Sequence, residues 1–345
     1  MSPIVQAPAP PAGPLGSAGG LAGLPSPLRG RPRLTALEAG RARSTYVVAP
    51  DEPVLAGHYP GFPIFPGVCL VECAHLTARA ALAAAAGTGG PAQPAELAES
   101  AELAELAELA SARFLGPVFP GDRVDAELAI TGTGTETETG AGGRVAATLS
   151  GPRGEVARLR MVYREPGAGA GPGPGGGYWA GDPPPAGGRA PRDLLPHRPP
   201  MLLLDAVTAV EPGQRIVATW TARGEELASP AGPSAAYPPV LVLESWCQAA
   251  GAMVTWDQPN PDVTAGAVML FGGVSAAAFT GPVYAGERLE HRVTLTRALT
   301  DTVIVEGAAA VGGRTVLTVG RVTMALRPAG TLARPGPAPA PEPAP

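Results

Sequence analysis

The sequence contains no lysine. Its basic side chains are arginines, apart from four histidines, and acidic residues outnumber them, for a formal charge of −5. No basic run or stripe is visible in the sequence, which argues against a nucleic-acid partner. Only three cysteines are present, Cys69, Cys73 and Cys247, in neither a C-x-x-C nor a metal-ligand pattern. They read as small buried fillers of a reducing compartment. The histidines (His58, His75, His197 and His291) are equally without metal-site spacing. No continuous apolar run reaches the roughly 18 residues of a membrane span, and the N-terminus lacks the charged start and apolar centre of a secretory signal. Together these absences predict a soluble, cytoplasmic protein with neither a membrane nor a nucleic-acid partner and no bound metal.

Glycine (47) and proline (43) are abundant instead, and they concentrate in three places. Residues 1–30 and 330–345 are Pro/Ala/Gly-rich and predict disordered tails, since neither can bury enough side chain to offset the entropy of ordering. Residues 167–190 read as a Gly/Pro linker. The linker separates two blocks, 31–166 and 191–329, that repeat each other. The first holds "PGVCLVECAHLTARAAL", "ARFLGPVFPGDRVDAELAI" and "ARLRMVYREP"; the second holds "PPVLVLESWCQAAGAMV", "AAFTGPVYAGERLEHRVTL" and "VGRVTMALRP", in the same order and spacing. This is the signature of a tandem duplication.

In each block an apolar segment carrying a glutamate, 67–86 and 239–255, suits a helix that is apolar nearly all round and therefore buried. Alternating apolar and polar residues in "VDAELAITG", "GRVAATLSG", "VARLRMVYR", "RIVATWTA", "RLEHRVTLTR" and "RTVLTVGRVTMAL" predict antiparallel strands with one wet face. The fold class expected is α+β, with two curved antiparallel sheets each wrapping a central helix. One stretch is contradictory. "AELAESAELAELAELA" (95–110) has helical composition but leucines mostly three apart, whereas the repeat requires its end to lead into a strand.

The densest motif is "GHYPGFPIFPGVCLVE" (57–72), one histidine before three evenly spaced prolines, then a glutamate in an apolar run. It resembles the pattern H-F-P-G-x-P-x-x-P-G-V-L-x-x-E of the 3-hydroxyacyl-acyl-carrier-protein dehydratases of fatty-acid synthesis, matching at His58, Pro60, Gly61, Pro63, Pro66, Gly67, Val68 and Glu72. "LLPHRPPMLLLDAVTAVEPGQRIVA" resembles the N-terminal segment of the same family, including the P-H-R triplet at 196–198. "VLESWCQAAG" resembles its E-A-x-x-Q-A-A-G at Glu244 and Gln248. The resemblance implies hotdog folds, here a double hotdog fused as a pseudo-dimer, with active sites shared between the two hotdogs. One complete site would take His58 from the first and Glu244 and Gln248 from the second. The opposite site keeps Glu72 but has Pro230 where the family places its histidine, so Glu72 belongs to a degenerate site.

Dehydration needs a base for the C2 proton and an acid for the departing C3 hydroxyl. His58 is expected as base, Glu244 as acid raised by burial, and Gln248 as its orienting partner. By the resemblance, the backbone N–H of Gly67 is the oxyanion donor, with Pro66 supporting it at the start of the helix. The prolines are expected to hold His58 in place. His75 reads as packed, His197 and Arg198 as fixing the N-terminal segment of the second hotdog, and His291 as exposed on a strand. The resemblance implies no cofactor beyond the phosphopantetheine of an acyl carrier protein that brings the acyl thioester. That acidic partner would meet arginines such as Arg79, Arg113 and Arg123, and the fused pair could dimerise further. The competing readings are a non-catalytic acyl-binding or scaffolding hotdog and another hotdog enzyme, a hydratase or thioesterase.

Overall fold

Val124, Ala126, Leu128 and Ile130 are buried along one strand while their neighbours lie at or near the surface, so one face of that strand is closed by core. The same alternation recurs through a computed structural model that describes residues 24–86, 104–132, 143–165, 183–229, 235–260, 262–263, 267–328 and 330. The first half runs β1 (Arg33–Glu38), β2 (Arg41–Val47), α1 (Pro53–His58), α2 (Gly67–Ala86), β3 (Glu105–Phe114), β4 (Arg123–Thr131), β5 (Gly143–Gly151) and β6 (Gly154–Arg164). The second runs α3 (Pro191–Leu194), β7 (Ala206–Glu211), β8 (Arg215–Thr221), α4 (Pro239–Val254), β9 (Ala267–Phe279), β10 (Arg288–Ala298), β11 (Thr302–Val311) and β12 (Arg314–Pro328).

The sheet order is β1-β2-β4-β5-β6-β3-β9-β12-β11-β10-β8-β7. Read outward from its middle, each half repeats the same sequence of strands, so the duplication is visible in the topology. The two sheets expected from sequence are joined into one twelve-stranded sheet through the antiparallel pair β3–β9. At this seam a Cβ on Gly273 would lie 2.9 Å from the Ala112 carbonyl, so glycine permits the approach. The long helices pack against each other under this sheet. In α4 every residue from Val240 to Met253 is buried. α2 has the length and apolar composition of a membrane span, contrary to the expectation from the sequence, but most of it is enclosed here as a core helix.

β3 resolves the contradictory leucine stretch. Its buried residues, Leu106, Leu109 and Ala112, are three apart, and its register against β6 shifts between Leu106 and Glu108 and again between Leu109 and Ser111. Each irregularity adds one residue to the usual period of two, so the three-residue spacing fits a bulged strand. The start of that stretch, up to residue 103, lies outside the described residues, as do residues 1–23 and 331–345 of the tails and 167–182 of the linker.

Three expectations need correction. Residues 24–30, assigned to the N-terminal tail, are packed: Leu28 is fully buried and Ser26 pairs with Ser229 across the halves. The end of the linker is likewise held, with Ala186 N–H donating to the Thr208 carbonyl at 3.0 Å and the Arg189 guanidinium over the Trp256 ring. His291 is fully buried on β10, because it falls on the core face of that strand.

Candidate active site

The connection between α1 and α2 in the first half explains the prolines. Phe62 N–H donates to the Tyr59 carbonyl at 2.9 Å, with Pro60 and Gly61 at the turn's centre and Gly61 at a φ of 81°. That is the geometry of a type II turn, in which proline presets the second residue and glycine takes the positive φ. The chain then doubles back so that Nδ1–H of His58, the last residue of α1, donates to the Ile64 carbonyl at 3.1 Å. This bond places the proton on Nδ1 and leaves Nε2 with its lone pair free to accept. Pro66 immediately precedes α2, whose first residue is Gly67, so the Gly67 N–H belongs to the first turn, where helices leave donors without intrahelical partners. A side chain on Gly67 would stand 3.0 Å from the Phe114 ring.

The second half supplies a buried carboxyl. Glu244 projects from α4 and is almost fully buried. Gln248, one turn on, donates from Nε2 to Glu244 Oε1 at 3.0 Å and to the Met201 carbonyl at 2.8 Å, while its Oε1 accepts from Leu203 N–H at 2.8 Å. It thus fastens the glutamate to the 201–203 segment. That segment is pinned to the first half as well, because Arg198 N–H donates to the Gly57 carbonyl at 2.8 Å. A Cβ on Gly57 would lie 2.2 Å from the Arg198 carbonyl, so only glycine lets α1 dock there.

These constraints bring His58 and Glu244 together across the pseudo-dimer, and they bring a third group, His197. One ring nitrogen of each histidine and a carboxylate oxygen of Glu244 all lie within 4.8 Å of one another. His197 Nε2 is 3.5 Å from Glu244 Oε1, and neither of its ring nitrogens has a hydrogen-bond partner among the described residues. Its ring is edge-on to that of His58, with centroids 5.4 Å apart. The sequence reading treated His197 as scaffolding; the P-H-R triplet was its only signal, and proximity to His58 is purely tertiary. The three side chains could also ligate a divalent ion, a set hidden from spacing arguments because it draws on three distant segments.

Burial sets the charges. His58 is lowered to about 4, chiefly by desolvation and slightly opposed by its bond to Ile64. His197 is lowered well below the usual imidazole range by desolvation, then by His58 and Arg198. Glu244 is raised to about 7 by desolvation, against the lowering effect of Gln248. Near neutrality the site therefore holds two neutral imidazoles and a carboxyl that retains a share of its proton, rather than an ion pair. The adjoining cavity is small, about 30 Å³, and is lined by Tyr59, His197, Gln248, Met269, Phe271 and Met324 among others. A roomier cavity, about 290 Å³, lies instead around Glu72 and is lined by residues of both halves. Glu72 is buried and bonded to Ser26, not to a histidine. Pro230 lies outside the described residues.

Two hotdog halves that meet around a buried neutral histidine from one and a buried, partly protonated carboxyl from the other define the class: a double hotdog with a composite site. Comparison with known proteins agrees. The family described as ApeI-like (ApeI dehydratase) matches residues 35–139, and the FabA-like domain matches residues 195–320. The 3-hydroxyacyl-[acyl-carrier-protein] dehydratase FabZ of Symbiobacterium thermophilum is 36 % identical over 124 residues, 35 % of this chain and 83 % of that protein. FabZ of Anaeromyxobacter sp. (strain K) is 39 % identical over 108 residues, 30 % of this chain and 67 % of that protein. The chain belongs to the 3-hydroxyacyl-[acyl-carrier-protein] dehydratase family, and it is an enzyme rather than a bare scaffold. Its whole fold is shared with the dehydratase domain of PpsC from Mycobacterium tuberculosis, at a TM-score of 0.54 and 16 % identity over 90 % of this chain and 99 % of that one. The dehydratase domain of RzxB from Pseudomonas fluorescens gives 0.53 and 13 % identity over 88 % and 99 %.

Proposed function

We propose that this protein dehydrates a 3-hydroxyacyl thioester, presented on the phosphopantetheine arm of an acyl carrier protein, at the single composite site of His58 and Glu244. The observation that carries the reading is the pairing itself: a histidine whose Nδ1–H is fixed on Ile64, leaving Nε2 basic, faces a buried carboxyl of the other half.

His58 Nε2 takes the C2 proton, and the electron pair moves toward the thioester carbonyl, whose oxygen gains negative charge. The Gly67 N–H at the start of α2 is assigned to that oxygen, with Pro66 presetting the turn; donors of this kind are worth ~3–4 kcal/mol. As the C3–O bond breaks, Glu244 gives its proton to the leaving hydroxyl, which departs as water and leaves a 2-enoyl thioester. The carboxylate and imidazolium then exchange the abstracted proton and reset. Gln248 holds Glu244 in position. No metal or organic cofactor enters this step. Acyl entry requires the flexible thioethers of Met269 and Met324 to swing aside, since a cavity of about 30 Å³ holds little more than one water-sized group.

Of the arginines considered for carrier-protein docking, Arg79 is turned into the second cavity and Arg123 is paired with Asp125 at 2.7 Å. Arg113 joins Arg41, Arg43, Arg158, Arg160 and Arg321 in a groove on the outer face of the sheet, a basic patch that the linear sequence does not display. We assign the acidic carrier protein to this groove by charge complementarity. The catalytic test is loss of one water from a 3-hydroxyacyl carrier protein, followed by intact mass. His58→Ala is expected to slow it by ~10²–10⁴-fold, the usual reach of general acid–base catalysis. Full activity in that variant would overturn the assignment.

A further inference from the structure

Aligning α2 and α4 on Glu72 and Glu244 sets Pro66 against Pro238 and Gly67 against Pro239. Proline has no backbone N–H, so the second half lacks the oxyanion donor as well as the histidine. The cavity around Glu72 has nevertheless not closed. It is about 290 Å³, roughly ten times the space beside Tyr59 and His197. Its walls include Leu76, Leu106, Val242, Phe279, Val283 and Val316.

The polar groups here are few and incompletely paired. Glu72 Oε1 accepts from Ser26 Oγ–H at 2.8 Å, while Oε2 is buried with no partner among the described residues. Arg79, two turns further along α2, lines the same cavity, and its Nε likewise has no partner among them. Arg164, by contrast, is committed to Glu105 at 2.9 Å and to the Phe279 carbonyl at 2.7 Å. His75 is tied to the Tyr163 hydroxyl at 3.0 Å. A buried carboxyl oxygen and a guanidinium N–H left open at the edge of an apolar space are costly unless something completes them.

We propose that this second cavity is a non-catalytic binding site for a small monocarboxylate with an apolar tail. The carboxylate accepts from the Arg79 guanidinium and from the protonated Glu72, and the tail lies along Leu106, Val242 and Val283. Burial raises Glu72 to about 7, so it can serve as a donor near neutrality. A primary amine would face Arg79 and Arg164, and a doubly charged phosphate would face Glu72 and Glu105; a single negative charge suits the set. The volume lies at the small end of ligand pockets, ~300–1,000 Å³, so a short- to medium-chain acid is the size that fits. This inference rests on the reading that turnover is confined to the His58–Glu244 site.

The test is calorimetric titration of the full chain with octanoate, in parallel with octanamide and octylamine. Octanoate is expected to bind saturably at one site per chain, and the two uncharged or cationic analogues at least tenfold more weakly. Arg79→Gln is expected to weaken octanoate at least tenfold. Ala236→Trp, at the exposed rim of the cavity and unable to disturb the core, should do the same. His58→Ala should bind within twofold of wild type. No saturable binding to wild type, binding insensitive to both Arg79→Gln and Ala236→Trp, or binding lost in His58→Ala would each overturn the proposal. The titration contains no carrier substrate. A failed catalytic reading would therefore show as absent turnover with binding intact, and a failed binding site as the reverse.

Discussion

His58 and Glu244 are pushed in opposite directions from their exposed counterparts by one cause, loss of water. The proposed mechanism needs His58 neutral, which holds above its value of about 4, and Glu244 protonated, which holds below its value of about 7. The rate of dehydration is therefore expected to rise with pH through about 4, stay level, and fall as pH passes about 7. Gln248 lowers Glu244 through its hydrogen bond, so Gln248→Ala should move the alkaline limb to higher pH while reducing the rate. A kcat/KM profile measured across that range checks the direction; a limb that stays put or moves down would contradict the role given to Gln248. At this scale the sequence named candidates where a motif tied chemistry to spacing, as at His58, Glu244 and Gln248, and the structure brings these three together. It gave His197 only a scaffolding role; the place of this residue beside His58 depends on Arg198 N–H meeting the Gly57 carbonyl, a contact between residues 141 positions apart by number. It was misleading about His291, because alternation marks two faces of a strand but does not say which one is wet.

Among the elements, strands with strong contrast between their faces were legible, and β4, β5, β6 and β10 follow the alternation, whereas β8 is buried continuously from Ile216 to Trp220 and β12 from Val316 to Val319. β9 and β11 were not, since "VSAAAF" and "EGAAAV" offer small apolar residues on both faces. β3 hid behind a helical composition because its bulges convert a period of two into three. Both long helices were evident from their apolar runs, whereas the six-residue α1 was not, its only mark being Pro53 in the first turn. This short helix is the element on which the site depends most. Gly57→Ala would force backbone against backbone, at 2.2 Å from the Arg198 carbonyl and 2.6 Å from Met201 N. Overpacking of this kind costs ~1–3 kcal/mol. The displacement would also part His58 from His197 and Glu244. The expected outcome is a lower unfolding midpoint in denaturant and a loss of dehydration at temperatures where the variant remains folded. Wild-type stability and rate together would contradict the docking role of Gly57.

For the molecule as a whole, the duplication was visible as repeated segments, but the joining of two sheets through β3–β9 and the gathering of arginines on its outer face were not, since both arise from strands distant in sequence. The groove carries Arg41, Arg43, Arg113, Arg158, Arg160 and Arg321 against one acidic lining residue, Glu127. Arg113→Glu with Arg321→Glu is expected to raise KM for a carrier-bound substrate several-fold and leave turnover of a soluble pantetheine thioester unchanged. Equal effects on both substrates would remove the groove from docking. The same concentration of positive charge disfavours a second copy of the chain stacked across this face. The account's central claim is that one chain holds one working site, built from unlike halves. The most direct measurement is water loss from a 3-hydroxyacyl carrier protein by Glu244→Gln and Glu72→Gln beside wild type, under identical conditions. The account predicts that Glu72→Gln keeps the wild-type rate and Glu244→Gln loses at least a hundredfold; a dead Glu72→Gln beside an active Glu244→Gln would contradict it.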